Sequence, residues 1–526
     1  RGVCKMNFRI NCIVLFLINL YSVHSASILA LFSTLSFADQ LVYRGYVEFL
    51  AHRGHHVVVM TPQPGLFRYP ELEKIVELDV SSETKPFFDE YKKLYANIDD
   101  YFINLRKIHE LSLKIAIAQL KSQQMAALFI NPNVKFDLVI TEADMPVLYA
   151  VAEKYNCPHI SITASAGKLN MFESKGSPNH ALLYQDSNTL RHGKINIIQR
   201  IEEYHRYWRY KYEYYQYYMP LCQMAAEKIF DLKRDLLEIE EDIDILLVSG
   251  NQVLLGNRAV VPAVVYVDNL HIKPQHELPE DLQKYLDSSV KGCVYFSLGT
   301  IQEAEELSQK VLQMIMDAFG ELQYNVLFKI GNTTMVKKPN NVNAQVWLPQ
   351  QQILAHKNVK AFVTHGGQRS LEEAIFYGVP IVGIPFCSNN KLPIQRISNH
   401  GAGAIIDPRY MTIDTLKKTI FEVVSKEEYK KAMLILRDLT LDNVMSGPDR
   451  AVWYTEYVLR HGGAKHLRSA LIGISLSKFL MLDVLLNLFI VILFLIAPLY
   501  LLIKFIIKCI RSRAANKGSK GKFKAL

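Results

Sequence analysis

Through most of the chain, short apolar runs alternate with stretches in which apolar residues return every three or four positions. The runs SILALF (27–32), HHVVVM (55–60), KIVELDV (74–80), FDLVIT (136–141) and HISITAS (159–165) are too short for helices, and each predicts a strand. Residues 40–53 between the first two predict a helix closed by Gly54. The pattern restarts with CVYFSL (293–298), NVLFKI (325–330), VKAFVTH (359–365) and IVGIP (381–385), again with helical segments between them. Strand–helix alternation of this kind predicts parallel α/β units. A chain of 526 residues outgrows one core, so two domains are expected. The polar stretch 273–287, with Pro274 and Pro279, predicts a linker between an N-terminal domain over 26–272 and a C-terminal domain over 288–460.

Beyond a juxtamembrane stretch (461–483), residues 484–503 carry no charge and a single Asn. Twenty residues at about 1.5 Å each match a hydrocarbon core of roughly 30 Å, which predicts a transmembrane helix. This changes the meaning of the formal charge of +9. Eight Lys and Arg, with no acid, fall in the tail 504–526, so the rest of the chain is close to neutral and offers no basic face for nucleic acid. A basic segment beside a span belongs on the cytosolic side. At the other end Met6 reads as a start. Arg9, the apolar run 12–20 and Val23-His24-Ser25 then predict a secretory signal within residues 1–25. The body is therefore expected in a lumen. The ending Lys522-Phe523-Lys524-Ala525-Leu526 resembles dilysine signals that return membrane proteins to the endoplasmic reticulum.

Cysteines and sugar acceptors add little. Cys157, Cys222, Cys293 and Cys387 show no metal-ligand spacing, and Asn332-Thr333-Thr334 is a glycosylation sequon. No metal is expected. The stretch YHRYWRYKYEYYQYYMP (204–220) interleaves rings and bases; in a lumenal body it predicts an amphipathic helix covering a neighbouring domain or the membrane surface.

The chemistry gathers around VTHGGQRSLEEA (363–374). A strand ends at His365, Gly366-Gly367 allow a close turn, and Ser370 with Glu373 reads as a capping box for the following helix. Helix N-termini present unpaired N–H groups and partial positive charge, which suits a diphosphate. Trp347-Leu348-Pro349-Gln350 upstream, and Gly378-Val379-Pro380 and Pro385 downstream, complete a longer pattern. Together with ILALFSTLSFADQLVYR, AHRGHHVVVMTP and FSLGT (296–300), it resembles the membrane-bound animal, insect-like UDP-glycosyltransferase family. The resemblance covers nearly the whole chain. It implies an α/β fold of two facing Rossmann-like domains (GT-B type) plus a C-terminal transmembrane helix. Trp347 would stack on uracil, Gln350 would reach the ribose and Glu373 would accept its hydroxyls. His365, Gly367, Ser370 and Thr300 would hold the diphosphate. The donor would be a co-substrate, UDP-glucose by expectation, with no further cofactor.

Three positions depart from the family pattern. The histidine that removes the acceptor's proton is Asp39 here, while its partner carboxylate is retained as Glu142. An ordinary Asp has a pKa near 4 and is a weaker base at neutral pH than a histidine. Repulsion from a nearby Glu142 would raise it, or an amine acceptor would need less help. A plain N-cap for the helix starting at Gln40 is the structural alternative for Asp39. Arg369 stands where a small amide is usual, and is expected either on the diphosphate or outward on the helix. Asn389-Asn390 replaces the Asp-Gln pair that holds the sugar, which weakens sugar binding more than nucleotide binding. Two functions follow: an inverting hexosyltransferase acting on small lipophilic acceptors, or a weakened or silent relative that binds UDP or a lipophilic ligand, or pairs with active homologues in the membrane. Homo- or hetero-oligomers are compatible with both.

Overall fold

The computed structural model describes residues 25–65, 73–96, 101–184, 195–273, 277–299, 307–330, 337–386 and 388–521. The expected signal segment up to residue 24, Thr300, Pro274, the sequon at Asn332, Cys387 and the five terminal residues lie outside these. Two compact units follow one another in the chain, 1–468 and 469–526.

The first unit contains two parallel sheets. In one, β1 (Ser27–Leu31), β2 (His56–Thr61), β3 (Ile75–Asp79), β4 (Leu138–Glu142), β5 (His159–Thr163), β6 (Ile245–Ser249) and β7 (Val264–Val267) take the order β3-β2-β1-β4-β5-β6-β7. In the other, β8 (Cys293–Ser297), β9 (Asn325–Lys329), β10 (Val342–Gln345), β11 (Val359–Thr364), β12 (Ile381–Gly383) and β13 (Gly403–Ile405) take the order β10-β9-β8-β11-β12-β13. The central strands are buried along their length because helices cover both faces, which is why they read as unbroken apolar runs. The predicted α/β architecture in two lobes is observed.

The helices that matter for function are α1 (Phe37–His52), α2 (Tyr101–Leu120), α3 (Ile197–Tyr212), α4 (Gln350–Ala355), α5 (Gln368–Phe376), α6 (Ser388–Asn399) and α7 (Gly447–His461). Two boundaries differ from expectation. Part of the 273–287 linker is the helix Glu280–Ser288, whose Leu282 and Leu286 are buried in the second lobe's core. The second lobe also does not extend to 460. α7 returns to the first lobe, where Ala451, Val452 and Val458 complete the core beside α1. There Tyr46 Oη and Thr455 Oγ1 share a hydrogen bond of 2.5 Å. An apolar helix face follows the core that can bury it, wherever the chain has just been.

The second unit holds a helix, α8 (Leu482–Gly521), of which Leu482–Arg513 is long and apolar enough to cross a membrane. The expected span 484–503 lies inside it, and the basic stretch continues the same helix to Gly521 instead of forming a separate tail.

α1 lies so close to the chain leaving β7 that a Cβ on Gly45 would collide with the Leu270 carbonyl. Gly45→Ala must push a helix off backbone, and we expect a loss of roughly 1–3 kcal/mol. A lowered apparent melting temperature checks this; an unchanged one means the helix is free to shift.

Candidate functional site

In each sheet the strand order reverses once, between β1 and β4 and between β8 and β11. Connections leave in opposite directions at such a point and open a crevice at the strands' C-terminal ends. A cavity of about 1000 Å³ is lined from both crevices.

On the first side, β1 runs into a turn that ends in α1. Ser36 caps that helix, its Oγ accepting the Asp39 N–H at 3.3 Å. Asp39 is therefore not the cap: the helix starts at Phe37, three residues before the predicted Gln40, and Asp39 sits in its first turn with the carboxyl lining the cavity. Glu142 ends β4, and its Oε2 accepts the N–H groups of Ser33 and Thr34, both at 2.9 Å. The fold thus brings the two predicted carboxylates to one cavity wall. Burial, reinforced by Asp144 and then by Asp39, pushes the Glu142 carboxyl up to about 8. Burial also raises Asp39, with Arg369 and Ser36 opposing and Asp144 adding. Loss of water, more than mutual repulsion, shifts the pair. Asp144 is held by Lys168 Nζ at 2.7 Å and by the Thr163 hydroxyl at 3.2 Å.

On the second side, β11 hands over to His365 and two glycines. Gly366 has φ +90°, and a Cβ there would strike the Ile394 side chain. Gly367 is the N-cap of α5, with no side-chain cap, and a Cβ there would lie 2.9 Å from His365 Nε2. The expected capping box is therefore not formed. Its two residues serve a different network: Gln350 Nε2 donates to Ser370 Oγ at 3.0 Å and to Glu373 Oε2 at 2.5 Å, and Gln351 Nε2 donates to Glu373 Oε1 at 2.8 Å. Tyr295 Oη donates to Gln350 Oε1 at 3.2 Å. Burial pushes the Glu373 carboxyl up to about 7. The half-buried His365 imidazole is pushed down to about 4 by desolvation and by Lys329, which favours the neutral ring, and its Nδ1 has no partner among the described residues.

Trp347 is 58% exposed, its ring meeting Phe37 of α1 edge-on at 5.5 Å, with Lys329 Nζ at 5.3 Å from its centroid. An open indole on a cavity wall is a platform for a flat ring. Asn390 in α6 lines the cavity, whereas the Asn389 side chain lies outside the described residues.

Arg369 is placed differently from either expectation. It is buried, and its guanidinium turns away from its own helix end to Ser249 Oγ at 3.0 Å, the Ser249 and Ala164 carbonyls, and Glu372 Oε2 at 2.7 Å. Four of its five N–H donors are thereby engaged away from the helix end that would face a diphosphate.

Other lining residues carried no motif. Lys329 ends β9, and its position at the C-terminal end of a parallel strand was the available signal. Asp144 and Lys168 sit in loops, and His271 sits 3.7 Å from Glu373 Oε1, with nothing in the pattern to mark them. The tyrosine-rich stretch packs within its own lobe: Tyr210 and Tyr218 line the cavity and Tyr214 Oη donates to Glu240 Oε1 at 2.8 Å, while Tyr204 and Tyr212 stay exposed. Among the described residues no group of three or more His, Cys, Asp or Glu is arranged to hold a metal ion.

The fold and site have clear likenesses. The calicheamicin glycosyltransferase CalG4 superposes with a TM-score of 0.54 at 18% identity, over 83% of this chain and 99% of that one, and the glycotransferase of kitacinnamycin with 0.55 at 15%, over 83% and 98%. These show the GT-B fold. In sequence, an ecdysteroid UDP-glucosyltransferase of Spodoptera littoralis nuclear polyhedrosis virus is 29% identical over 88% of this chain and 94% of its own. UDP-glucosyltransferase 2 of Dactylopius coccus is 29% identical over 91% and 93%, and human UDP-glucuronosyltransferase 2B15 is 27% identical over 90% and 92%. These likenesses do not favour the silent alternative. The family described as UDP-glucoronosyl and UDP-glucosyl transferase matches residues 29–520, and the chain belongs to this transferase family.

Proposed function

We propose that the protein transfers a hexose, glucose in our reading, from its UDP-sugar to a small lipophilic acceptor, with inversion. The observation that carries this is a single cavity joining two chemically different ends. One end holds Trp347, Gln350, Glu373 and His365, and the other holds Asp39 and Glu142 under apolar side chains of α2 such as Leu105 and Ile108. Glucosyl relatives support the choice of sugar.

In this reading uracil lies on Trp347, and the ribose hydroxyls donate to Glu373, displacing Gln350 and Gln351 in part. The diphosphate meets the N–H groups at the start of α5, with His365 as a neutral donor, Ser370 beside it, and Lys329 supplying charge. Asn390, in the cavity wall, meets the sugar in this reading. The acceptor's oxygen or nitrogen attacks the anomeric carbon, the bond to the phosphate oxygen breaks, and UDP leaves with the electron pair. Asp39 takes the proton. Glu142, raised to about 8, is mostly protonated at neutral pH, so it holds the Ser33–Thr34 turn and donates a hydrogen bond more readily than it accepts a proton. No metal or further cofactor enters this scheme. The helix at 484–503 anchors the body to the endoplasmic reticulum membrane on the lumenal side, as one copy or together with related transferases.

Two outcomes are expected. Membranes carrying the protein, given labelled UDP-glucose with phenols, alcohols and amines, transfer sugar to at least one class, and Asp39→Asn lowers the rate by about 10²-fold or more while UDP still binds. UDP binding without transfer to any acceptor would contradict the proposal. Second, because Glu373 is raised to about 7, it gains a proton as pH falls, and its charge-assisted hydrogen bonds to ribose weaken. Calorimetric affinity for UDP therefore drops severalfold between pH 8 and pH 6, and Glu373→Gln is weak at both. A pH-independent affinity in the native protein rules out this role for Glu373.

A further inference from the structure

Arg369 belongs to the first turn of α5 in the second lobe, yet three of its four hydrogen bonds end on the first. Ser249 closes β6, and Ala164 follows β5. Its neighbour Gln368 reaches the same Ser249 carbonyl at 3.1 Å. A buried guanidinium is costly unless its donors are filled and its charge is answered. Ser249, Ala164 and Glu372 take the four terminal N–H donors. Glu372 answers the charge by contact. Asp39 lines the same cavity, one helical turn before Tyr43, whose hydroxyl accepts the N–H of the same Ala164 at 3.3 Å, and this brings the Asp39 end of α1 to the wall that holds the guanidinium.

The surroundings of Asp39 show what this charge does. From its own helix come the Ser36 cap and the Tyr43 phenol; from β4 and the loop after it come Glu142 and Asp144; from the loop before residue 169 comes Lys168, paired with Asp144; and from α5 comes Arg369. Burial and the acidic neighbours favour the protonated carboxyl, which cannot accept a proton. Arg369 is the cation that opposes them.

We propose that Arg369 is a positioning residue for the transfer: fixed by Ala164 and Ser249, it carries a positive charge across the cleft to keep Asp39 ionised, so the proton acceptor is complete only when both lobes are engaged. This rests on the reading of Asp39 as the base. The proton moves from the acceptor's X–H to the Asp39 carboxylate as the new bond to the anomeric carbon forms and UDP departs, and Arg369 itself touches neither reactant. The position where the family has a small amide and the position where it has a histidine line the same cavity, and a carboxylate base needs a counter-charge that a neutral imidazole does not.

The test uses the full-length protein in detergent or membranes and reads Asp39 directly. The Asp39 carboxyl band is followed by pH-difference infrared spectroscopy and assigned with Asp39→Asn. In Arg369→Gln we expect the Asp39 midpoint to rise by about tenfold in proton affinity, and the acidic limb of the kcat profile to rise with it, while KM for the UDP-sugar stays within about twofold. In Arg369→Lys, which keeps the charge and loses the fork, the midpoint stays near that of the native protein. Protection by UDP against heat shows that each variant is folded. An unmoved midpoint in Arg369→Gln overturns the proposal and leaves Arg369 as a strut between lobes. If Arg369→Gln does not fold, Glu372→Gln replaces it: with the competing carboxylate gone, the Asp39 midpoint falls, and no movement overturns the proposal. If the native protein transfers no sugar, the functional reading fails, while the infrared midpoints still decide the pairing.

Discussion

Polar groups taken out of water must be answered nearby, and at the meeting of the two lobes many of their hydrogen-bond partners come from the other lobe. Arg369 is satisfied by Ser249 and Ala164, and Gln351 links Glu373 to the His271 carbonyl at 3.0 Å. Arg396 of α6 finds the Leu254 carbonyl, and Asn251 donates to the Thr440 carbonyl at 3.0 Å. Several of these polar residues are buried or half-buried, so the lobes cannot part without leaving donors or charges unpaired. The cavity between them inherits its shape from that constraint. It also inherits its electrostatics: neutral His365, a Glu373 poised near neutrality, and two acidic groups raised by burial.

This arrangement separates the two halves of a transferase. The nucleotide end is built mainly within one lobe, on Gln350, Ser370 and Glu373, and touches the other through Gln351 on the His271 carbonyl and through Phe37 against Trp347. The acceptor end is shared. Asp39 belongs to one lobe and its counter-charge to the other, while Glu142 is tied to the backbone of the β1 turn. A substitution at Asp39 therefore has consequences on α5, and one at Arg369 has consequences on α1.

Much of this was legible in the sequence, and the exceptions have physical causes. The long apolar runs became the central strands because burial on both faces leaves no ambiguity. β6, β7, β10 and β13 went unpredicted: DILLVS follows an acidic helix that masks its edge, and the others are short strands near the sheet margins, where neighbours decide more than propensity. The Gly-Gly turn at His365 was readable because only glycine fits there. The capping box at Ser370 and Glu373 was a correct pattern in the wrong place, since the helix begins at Gln368 and a buried glutamate found amide donors instead. Arg369 could not be placed at all. Which way a guanidinium turns depends on carbonyls some 120 and 205 residues away in the chain.

The central claim is that Asp39 and Arg369 act as one device built from two lobes. A double-mutant cycle on sugar transfer measures that directly, comparing the native protein with Asp39→Asn, Arg369→Gln and the double variant. If the claim holds, Arg369→Gln slows the native enzyme but adds almost nothing once Asp39 is gone. If the two losses multiply as independent effects, Arg369 acts elsewhere and the claim is wrong.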